Sequence, residues 1–236
     1  TYSADTDHSA SDDTATTDIG TRSSSTDVTT AATGKVAISQ QVDVTVSDTD
    51  SGTASTPTGT VSFDDNGANG TFDSSDCTLV AGTCSVNYTP ATGDAGTTIS
   101  IKGTYSGDTD HSVSDDTAAT DIGTRSSSTD VTTAATGTVA ISQQVDVTVA
   151  DTSSGTTSTP TGTVSFSAAS GTFDFASCTL VSGTCSVNYT PISTGSKTIT
   201  ATYNADTTHS TSSNTASTSV GLRSTSTTPS TAATGT

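Results

Sequence analysis

The four cysteines of the chain form two pairs with identical spacing, and they carry its most specific chemical signal. Six residues separate Cys77 from Cys84, and six separate Cys178 from Cys185. If strands 77–79 and 82–84 pair across a turn at residues 80–81, the first two cysteines lie opposite one another within disulfide reach. Disulfides persist in oxidising compartments, so this interpretation predicts an extracellular, cell-surface protein. The alternative is a metal site, although two thiolates per repeat without a Cys-x-x-Cys spacing make a poor zinc centre.

Aspartate-rich turns suggest a second chemistry, the binding of calcium. All 24 acidic residues of the chain are aspartate, and carboxylate oxygens are the ligands that this hard cation prefers. Asp48 and Asp108 are the best candidates, because they keep acidic counterparts in Asp151 and Asp206. Other aspartates of these turns become Ser or Thr in the second copy, which favours solvated turns without a metal. The sequence thus predicts no cofactor, with calcium at Asp48 and Asp108 as the alternative.

The histidines and paired carboxylates do not combine into a catalytic set. His8, His111 and His209 occur once per repeat, and no Ser or Cys nucleophile is poised nearby in sequence. General acid–base catalysis needs a second convergent group, so each imidazole is interpreted as a packing residue. The adjacent carboxylates of Asp12 and Asp13 point to opposite faces of a strand and cannot act together. We therefore predict that the chain is not an enzyme.

Three sequons provide candidate sites for N-glycosylation. They begin at Asn69, Asn87 and Asn188, each followed two positions later by Thr. Alternation along the strand turns Val86 and Tyr88 inward and Asn87 outward, as a glycan requires. The competing interpretation is chance, since sequons arise often in a chain so rich in Thr. Glycosylation of these asparagines is accordingly a hypothesis.

Charge and hydropathy exclude several classes of partner. The formal net charge is −18, with only six Lys and Arg residues, so the chain offers no basic surface to a nucleic acid backbone. No apolar run approaches the roughly 18 residues needed to span a bilayer, so no membrane span is expected in this segment. Hydrophobic residues make up 29% of the chain, a value that suggests disorder until their pattern is considered.

Self-comparison shows that the chain is a tandem repeat. Residues 1–47 return at 104–150 with five changes, and residues 77–90 return at 178–191 with one. Arg22, Arg125 and Arg223 occupy equivalent positions. Dividing the chain at these arginines predicts four parts: the last strands of a truncated or shared repeat at 1–21, whole repeats at 22–124 and 125–222, and the first strand of a following repeat at 223–236.

The elements that position these residues are predicted to be short strands. Residues 42–46 and their copy 145–149 alternate Val with polar residues, the period of a half-buried strand. No stretch has helical periodicity, and Gly, Asp, Asn and Pro clusters separate the strands. About seven strands in about 100 residues is the pattern of an immunoglobulin-like β-sandwich. The predicted fold class is therefore all-β, with tandem immunoglobulin-like sandwiches.

Three sequence strings resemble the immunoglobulin-like repeats of bacterial and archaeal surface adhesins and filament proteins. They are TPTGTVSF, GTFDFASCTLVSGTCSVNYTP and STGSKTITATYNADTTHSTSS. The resemblance covers nearly all of residues 22–222 and implies end-to-end domains that serve as stalks, filament subunits or adhesive tips. It implies a non-catalytic structural repeat of an extracellular filament or stalk. The alternative is an adhesin module that binds carbohydrate or protein through its loops, although aromatic residues are only 4% of the chain.

The expected partners are neighbouring repeats or further copies of the chain. Residues 18–22 and 121–125 have the same sequence, which suggests a fixed geometry between neighbours, as a fibre needs. In a variant of this hypothesis, the segment 223–236 enters the incomplete sheet of another chain and covers an exposed edge.

Overall fold

The computed structural model describes residues 1–230, in which two β-sandwiches in tandem span 22–222. The predicted all-β, immunoglobulin-like class is confirmed. One turn of 3-10 helix at Thr92–Asp94 interrupts the first sandwich. The strands of the first sandwich are β1 Ser24–Thr30, β2 Thr33–Lys35, β3 Gln40–Asp48, β4 Thr60–Asp64, β5 Thr71–Phe72, β6 Asp76–Thr78, β7 Thr83–Thr89, β8 Thr97–Tyr105 and β9 Ser114–Gly123. Those of the second are β10 Ser127–Thr133, β11 Thr136–Thr138, β12 Gln143–Asp151, β13 Thr163–Ala168, β14 Thr172–Phe173, β15 Ser177–Thr179, β16 Thr184–Thr190, β17 Gly195–Tyr203 and β18 Ser212–Gly221.

Each sandwich packs a four-stranded sheet against a five-stranded one. The first has the strand orders β1-β3-β7-β5 and β2-β9-β8-β4-β6, and the second repeats both as β10-β12-β16-β14 and β11-β18-β17-β13-β15. All pairings are antiparallel except β2 with β9 and β11 with β18, which are parallel. Each sandwich thus has nine strands rather than about seven. Two features account for the difference. The first predicted strand crosses from one sheet to the other and so forms both β1 and β2. The strands β5 and β6 have only two and three residues, too few to show alternation in the sequence.

The core lies between the sheets and is built from the inward positions of alternating strands. In β3 the side chains of Val42, Val44 and Val46 are buried while their neighbours are exposed. The rings of Phe72 and Tyr88 lie 4.8 Å apart between centroids and fill the core beyond the aliphatic residues. A low apolar content is sufficient because nearly every apolar residue of the strands faces inward.

The segments outside the two sandwiches contain no strand among residues 1–21 and 223–230. Residues 1–21 are exposed and form one isolated bridge, between Tyr2 and Ser11. The strand expected at 223–236 is not formed over 223–230, and residues 231–236 lie outside the described part of the chain.

Candidate functional site

The cysteines form two disulfides, Cys77–Cys84 and Cys178–Cys185. The sulfur atoms are 2.01 Å and 2.05 Å apart in the two repeats. The arrangement differs from a simple cross-strand pair, because β6 pairs with β4 in one sheet and β7 pairs with β3 in the other. A tight turn carries the chain between sheets, with positive φ at Ala81 (52°). Each disulfide therefore ties the two layers of its sandwich together.

The sequon asparagines are exposed, and two of them make a specific contact. The side-chain amide of Asn87 donates to Asp73 at 2.8 Å, and that of Asn188 donates to Asp174 at 2.8 Å. The backbone N–H of each asparagine also donates to the same aspartate, and these bonds lower the pKa of both carboxyls. Asn69 is exposed in the loop before β5. Glycosylation of the three asparagines stays a prediction, and pairing with aspartate is a structural role that the sequence did not indicate.

The first calcium candidate, Asp48, is held by donors of the protein itself. Its Oδ2 atom lies 2.6 Å from Arg22 Nη2 and accepts a hydrogen bond from the backbone N–H of Ser55 at 2.9 Å. The Ser55 N–H and the Arg22 guanidinium together lower the pKa of Asp48 to about 2. Asp48 thus connects Arg22, at the start of the repeat, with Ser55 in the loop that follows β3.

The second candidate, Asp108, closes the turn between β8 and β9. Its carboxylate accepts hydrogen bonds from the backbone and hydroxyl of Thr58, at 2.8 Å and 2.9 Å, and from the backbone of His111 at 2.7 Å. Burial raises the pKa of Asp108, but these bonds outweigh it and hold the pKa well below its usual range. Within residues 1–230 no group of three or more His, Cys, Asp or Glu side chains could hold a metal ion. Calcium at Asp48 and Asp108 stays a prediction, while the contacts favour a structural role for both carboxylates.

The histidines of the whole repeats are packed inside the same turn. His111 and His209 are 2% and 0% exposed, whereas His8, outside the sandwiches, is exposed. The Nδ1 atom of His209 lies 3.1 Å from Asp206, and its Nε2 atom lies 3.9 Å from Asp151. The histidine therefore contacts the turn carboxylate directly, while its Nε2 atom lies near Asp151 without a hydrogen bond to it.

The most elaborate polar site is the junction between the repeats, and its centre is Arg125. The side chain is fully buried, with Nη2 2.7 Å from Asp151 Oδ2 and donating at 2.8 Å to the Thr156 carbonyl. Its Nη1 atom donates at 3.3 Å to the carbonyl of Ala37, which belongs to the preceding repeat. One guanidinium therefore holds its own repeat together and also contacts its neighbour.

The equivalent residue of the first repeat shows what the neighbour contributes. Arg22 makes the same pair with Asp48, yet its side chain is 28% exposed, against 0% for Arg125. Lys35 reinforces the junction by donating to Ser126 Oγ at 2.7 Å. Only residues 124–126 separate β9 from β10. The preceding repeat thus supplies the cover that completes the burial of the arginine.

The loop that contacts Arg125 is held in one conformation by its own repeat. Ala37 has a φ of 54°, an unfavourable region for alanine, and its N–H donates to the Pro90 carbonyl at 2.9 Å. Ala140 repeats both features, with a φ of 60° and a bond of 2.8 Å to Pro191, although no described repeat covers it. Since the uncovered loop has the same shape, the surface is formed before any neighbour docks on it.

A groove of about 550 Å³ lies beside this junction. Ile38, Gln40 and Ile122 line it from the first repeat, and Ser154 lines it from the second.

The recurrence of Arg125 and of the residues around it is visible in the sequence. Its partners are not, because they lie 26 to 88 positions away along the chain.

No helix in the described part of the chain has the length and apolar character needed to cross a membrane.

Comparisons with known proteins give structural matches alone, since no family model matches the chain and no curated protein is similar to it. The D0-D1 domain of intimin matches at 14% identity, over 81% of this chain and 97% of that one, with a TM-score of 0.30. The D00-D0 domain of intimin matches at 15% identity, over 83% and 98%, with a TM-score of 0.33. The fibronectin(III)-like modules of Clostridium thermocellum CbhA match at 12% identity, over 84% and 94%, with a TM-score of 0.32. Likenesses at such TM-scores carry no argument, and the fold rests on the strands described above.

Proposed function

We propose that the chain is a non-catalytic structural segment of an extracellular stalk or filament, in which immunoglobulin-like repeats stack end to end with a fixed geometry. The observation that carries this proposal is the junction at Arg125. A flexible array needs only a linker, whereas this junction has a three-residue connection and a buried guanidinium that contacts both repeats. Such contacts restrict rotation of one repeat against the other.

The pattern of repetition supports the same function. Arg22, Arg125 and Arg223 mark the start of successive units, so each junction can use the same contacts. At about 3.3 Å per strand residue, each added unit lengthens the array by roughly 40 Å. The two disulfides agree with an extracellular location, because they persist in oxidising compartments.

The test compares two conservative variants, Arg125→Lys and Arg22→Lys. Lysine keeps the charge opposite aspartate but lacks the planar fork, so it cannot bond the carboxylate and the Ala37 carbonyl together. Small-angle scattering and ¹⁵N relaxation report whether the two repeats tumble as one rod. We expect one rod for the unaltered chain and for Arg22→Lys, and partly independent tumbling for Arg125→Lys.

The matched control separates loss of the junction from loss of an intra-repeat ion pair, because Arg22 has the aspartate without the covering loop. Independent tumbling of the two repeats in the unaltered chain would contradict the proposed function. If the two repeats tumble in the same way in both variants, Arg125 does not determine the rigidity of the junction.

A further inference from the structure

We propose that the outer face of the five-stranded sheet in repeat 125–222 binds the same face of a second copy of the chain, so that two copies pair side by side. The surface consists of the residues of β11, β13, β15, β17 and β18 whose side chains point away from the core, and it is called the hydroxyl face below. The inference goes beyond the proposed function, because the face does not include Arg125 or its partners.

Every outward side chain of these five strands belongs to Ser or Thr. Alternation along β17 turns Ile199, Ala201 and Tyr203 into the core, where each is 0% exposed, and turns the residues between them outward. Antiparallel pairing sets the hydroxyls of neighbouring strands side by side in rows across the sheet. The members in the two longest strands are Thr198, Thr200 and Thr202 in β17 and Ser213, Thr215 and Ser217 in β18.

The first repeat shows that the fold does not require this composition. On its equivalent face, the Nζ atom of Lys102 lies 3.0 Å from Asp115 Oδ2, and the hydroxyl of Thr98 donates to Asp121 at 2.6 Å. Charged residues of the first repeat that the second replaces by Ser or Thr are Lys35, Asp64, Asp76, Lys102, Asp115 and Asp121. The hydroxyl face is therefore a specific property of the second repeat.

The hydroxyls of this face are available to a partner. Thr163 and Ser165 accept hydrogen bonds from the side chain of Asn204, at 2.9 Å and 2.8 Å. The other hydroxyls of the face make no hydrogen bond to any described residue. Because a hydroxyl both donates and accepts, two such faces are complementary to each other without a charged group.

Electrostatics favour a second copy as the occupant. The chain carries a net charge of −18, so two copies repel each other over most of their surface. The aspartates of repeat 125–222 lie outside the hydroxyl face; Asp130 and Asp146, for example, are exposed on the opposite sheet. Lys197 of β17 donates to Ser193 at the end of the strand. A second copy therefore meets the least repulsion at this face, whereas an acidic or basic partner finds no charge to bind there.

The area of the face fits a weak contact. At about 3.3 Å per residue and about 4.8 Å between strands, the five strands cover about 500 Å². Two faces together bury about 1,000 Å², the size at which specific interfaces are weak and transient. Phe175, two residues before the edge strand β15, adds apolar surface at the rim, since it is 68% exposed where the first repeat has Ser74. The contact gains strength wherever an array carries several such repeats.

Sedimentation equilibrium of the whole chain tests the pairing at concentrations up to about 1 mM, which a weak interface requires. In about 1 M salt the Debye length falls to about 3 Å, so the repulsion between copies is screened. We expect the mass to rise from 23.2 kDa towards twice that value, and to rise further in high salt than in low salt. Ser213→Asp should lower the association constant at least tenfold, because pairing would bury a carboxylate without a partner.

Ser128→Asp is the matched control. It adds the same charge at an exposed position on the outer face of the four-stranded sheet, and it should leave the association constant in high salt unchanged. The fold tolerates Ser213→Asp, because Asp115 holds the equivalent position of the first repeat. Ser167→Asp, at the position equivalent to Asp64, repeats the test at a second point of the face and should weaken pairing as well.

Three results would overturn the proposal. The first is a monomer at every concentration and salt. The second is a dimer that either face variant leaves unchanged, since pairing would then use a different surface. The third is equal weakening by Ser128→Asp, since net charge would then be the cause. Tumbling of the repeats is measured on dilute monomers, so failure of pairing leaves the proposed function standing.

Discussion

Replacing Arg125 by alanine is expected to destabilise repeat 125–222 far more than the equivalent change destabilises repeat 22–124. The substitution removes the charged partner of Asp151, whose side chain is 2% exposed, and leaves the carbonyls of Thr156 and Ala37 without their donor. Breaking a buried ion pair by removing one partner costs about 3–5 kcal/mol. For a domain of about 100 residues this corresponds to a fall in Tm of at least about 12 °C.

Arg22→Ala serves as the comparison, because Arg22 makes the same ion pair while 28% of its side chain is exposed. The Asp48 side chain is 2% exposed, like that of Asp151, but the space vacated by the partly exposed Arg22 side chain opens to solvent, so water can solvate the carboxylate and a smaller loss is expected. Scanning calorimetry assigns the loss to one repeat if the Tm of only one unfolding transition falls. Urea titrations of the same variants give the free energies of unfolding. Equal losses for the two variants, or a loss below about 1 kcal/mol for Arg125→Ala, would refute the argument from burial.

Three further predictions concern acid, metal and reduction. Hydrogen bonds from Ser158 and Arg125 outweigh the effect of burial and lower the pKa of Asp151 from 3.8 to about 2. A carboxyl with a lowered folded-state pKa stabilises above its unfolded pKa, so Tm should hold down to about pH 4 and fall from there towards pH 2; a flat profile over that window would count against the role of Asp151. Adding a chelator should leave Tm unchanged, because protein donors already occupy the carboxylates of Asp48 and Asp108; a fall in Tm would instead support calcium. Replacing Cys178 and Cys185 by serine should lower the free energy of unfolding by about 2.5 kcal/mol on the chain-entropy model, measured by urea titration, and no change would contradict it.

The strands could be read from the sequence wherever one face is buried and the other is not. The alternation of Val42, Val44 and Val46 predicts β3, and burial follows that pattern. The division of the first strand could not be read, because the crossing between sheets at residues 31–32 has no side-chain signature of its own. The path of the disulfide was also missed, since local spacing places Cys77 near Cys84 without showing that they lie in different sheets.

The junction marks the limit of prediction from a single sequence. Repetition identifies Arg125 as a boundary, but its burial depends on Ala37, which is 88 positions away. From sequence alone Asp48 fits either a turn or a calcium site, because an aspartate near Gly and Ser is common in both. Only the fold shows that it faces Arg22, so its role follows from tertiary contact rather than from composition.

The parallel pairing of β2 with β9 has a mechanical consequence. In the proposed array, tension would enter the first sandwich near its first strands and leave at the end of β9, so it would slide Thr33–Lys35 against Asp121–Gly123 along their length. Strands pulled lengthwise must break their ladder bonds together, whereas strands peeled from one end break them singly. If the proposed function holds, the pairing of β2 with β9 would resist extension most strongly along the axis of the array.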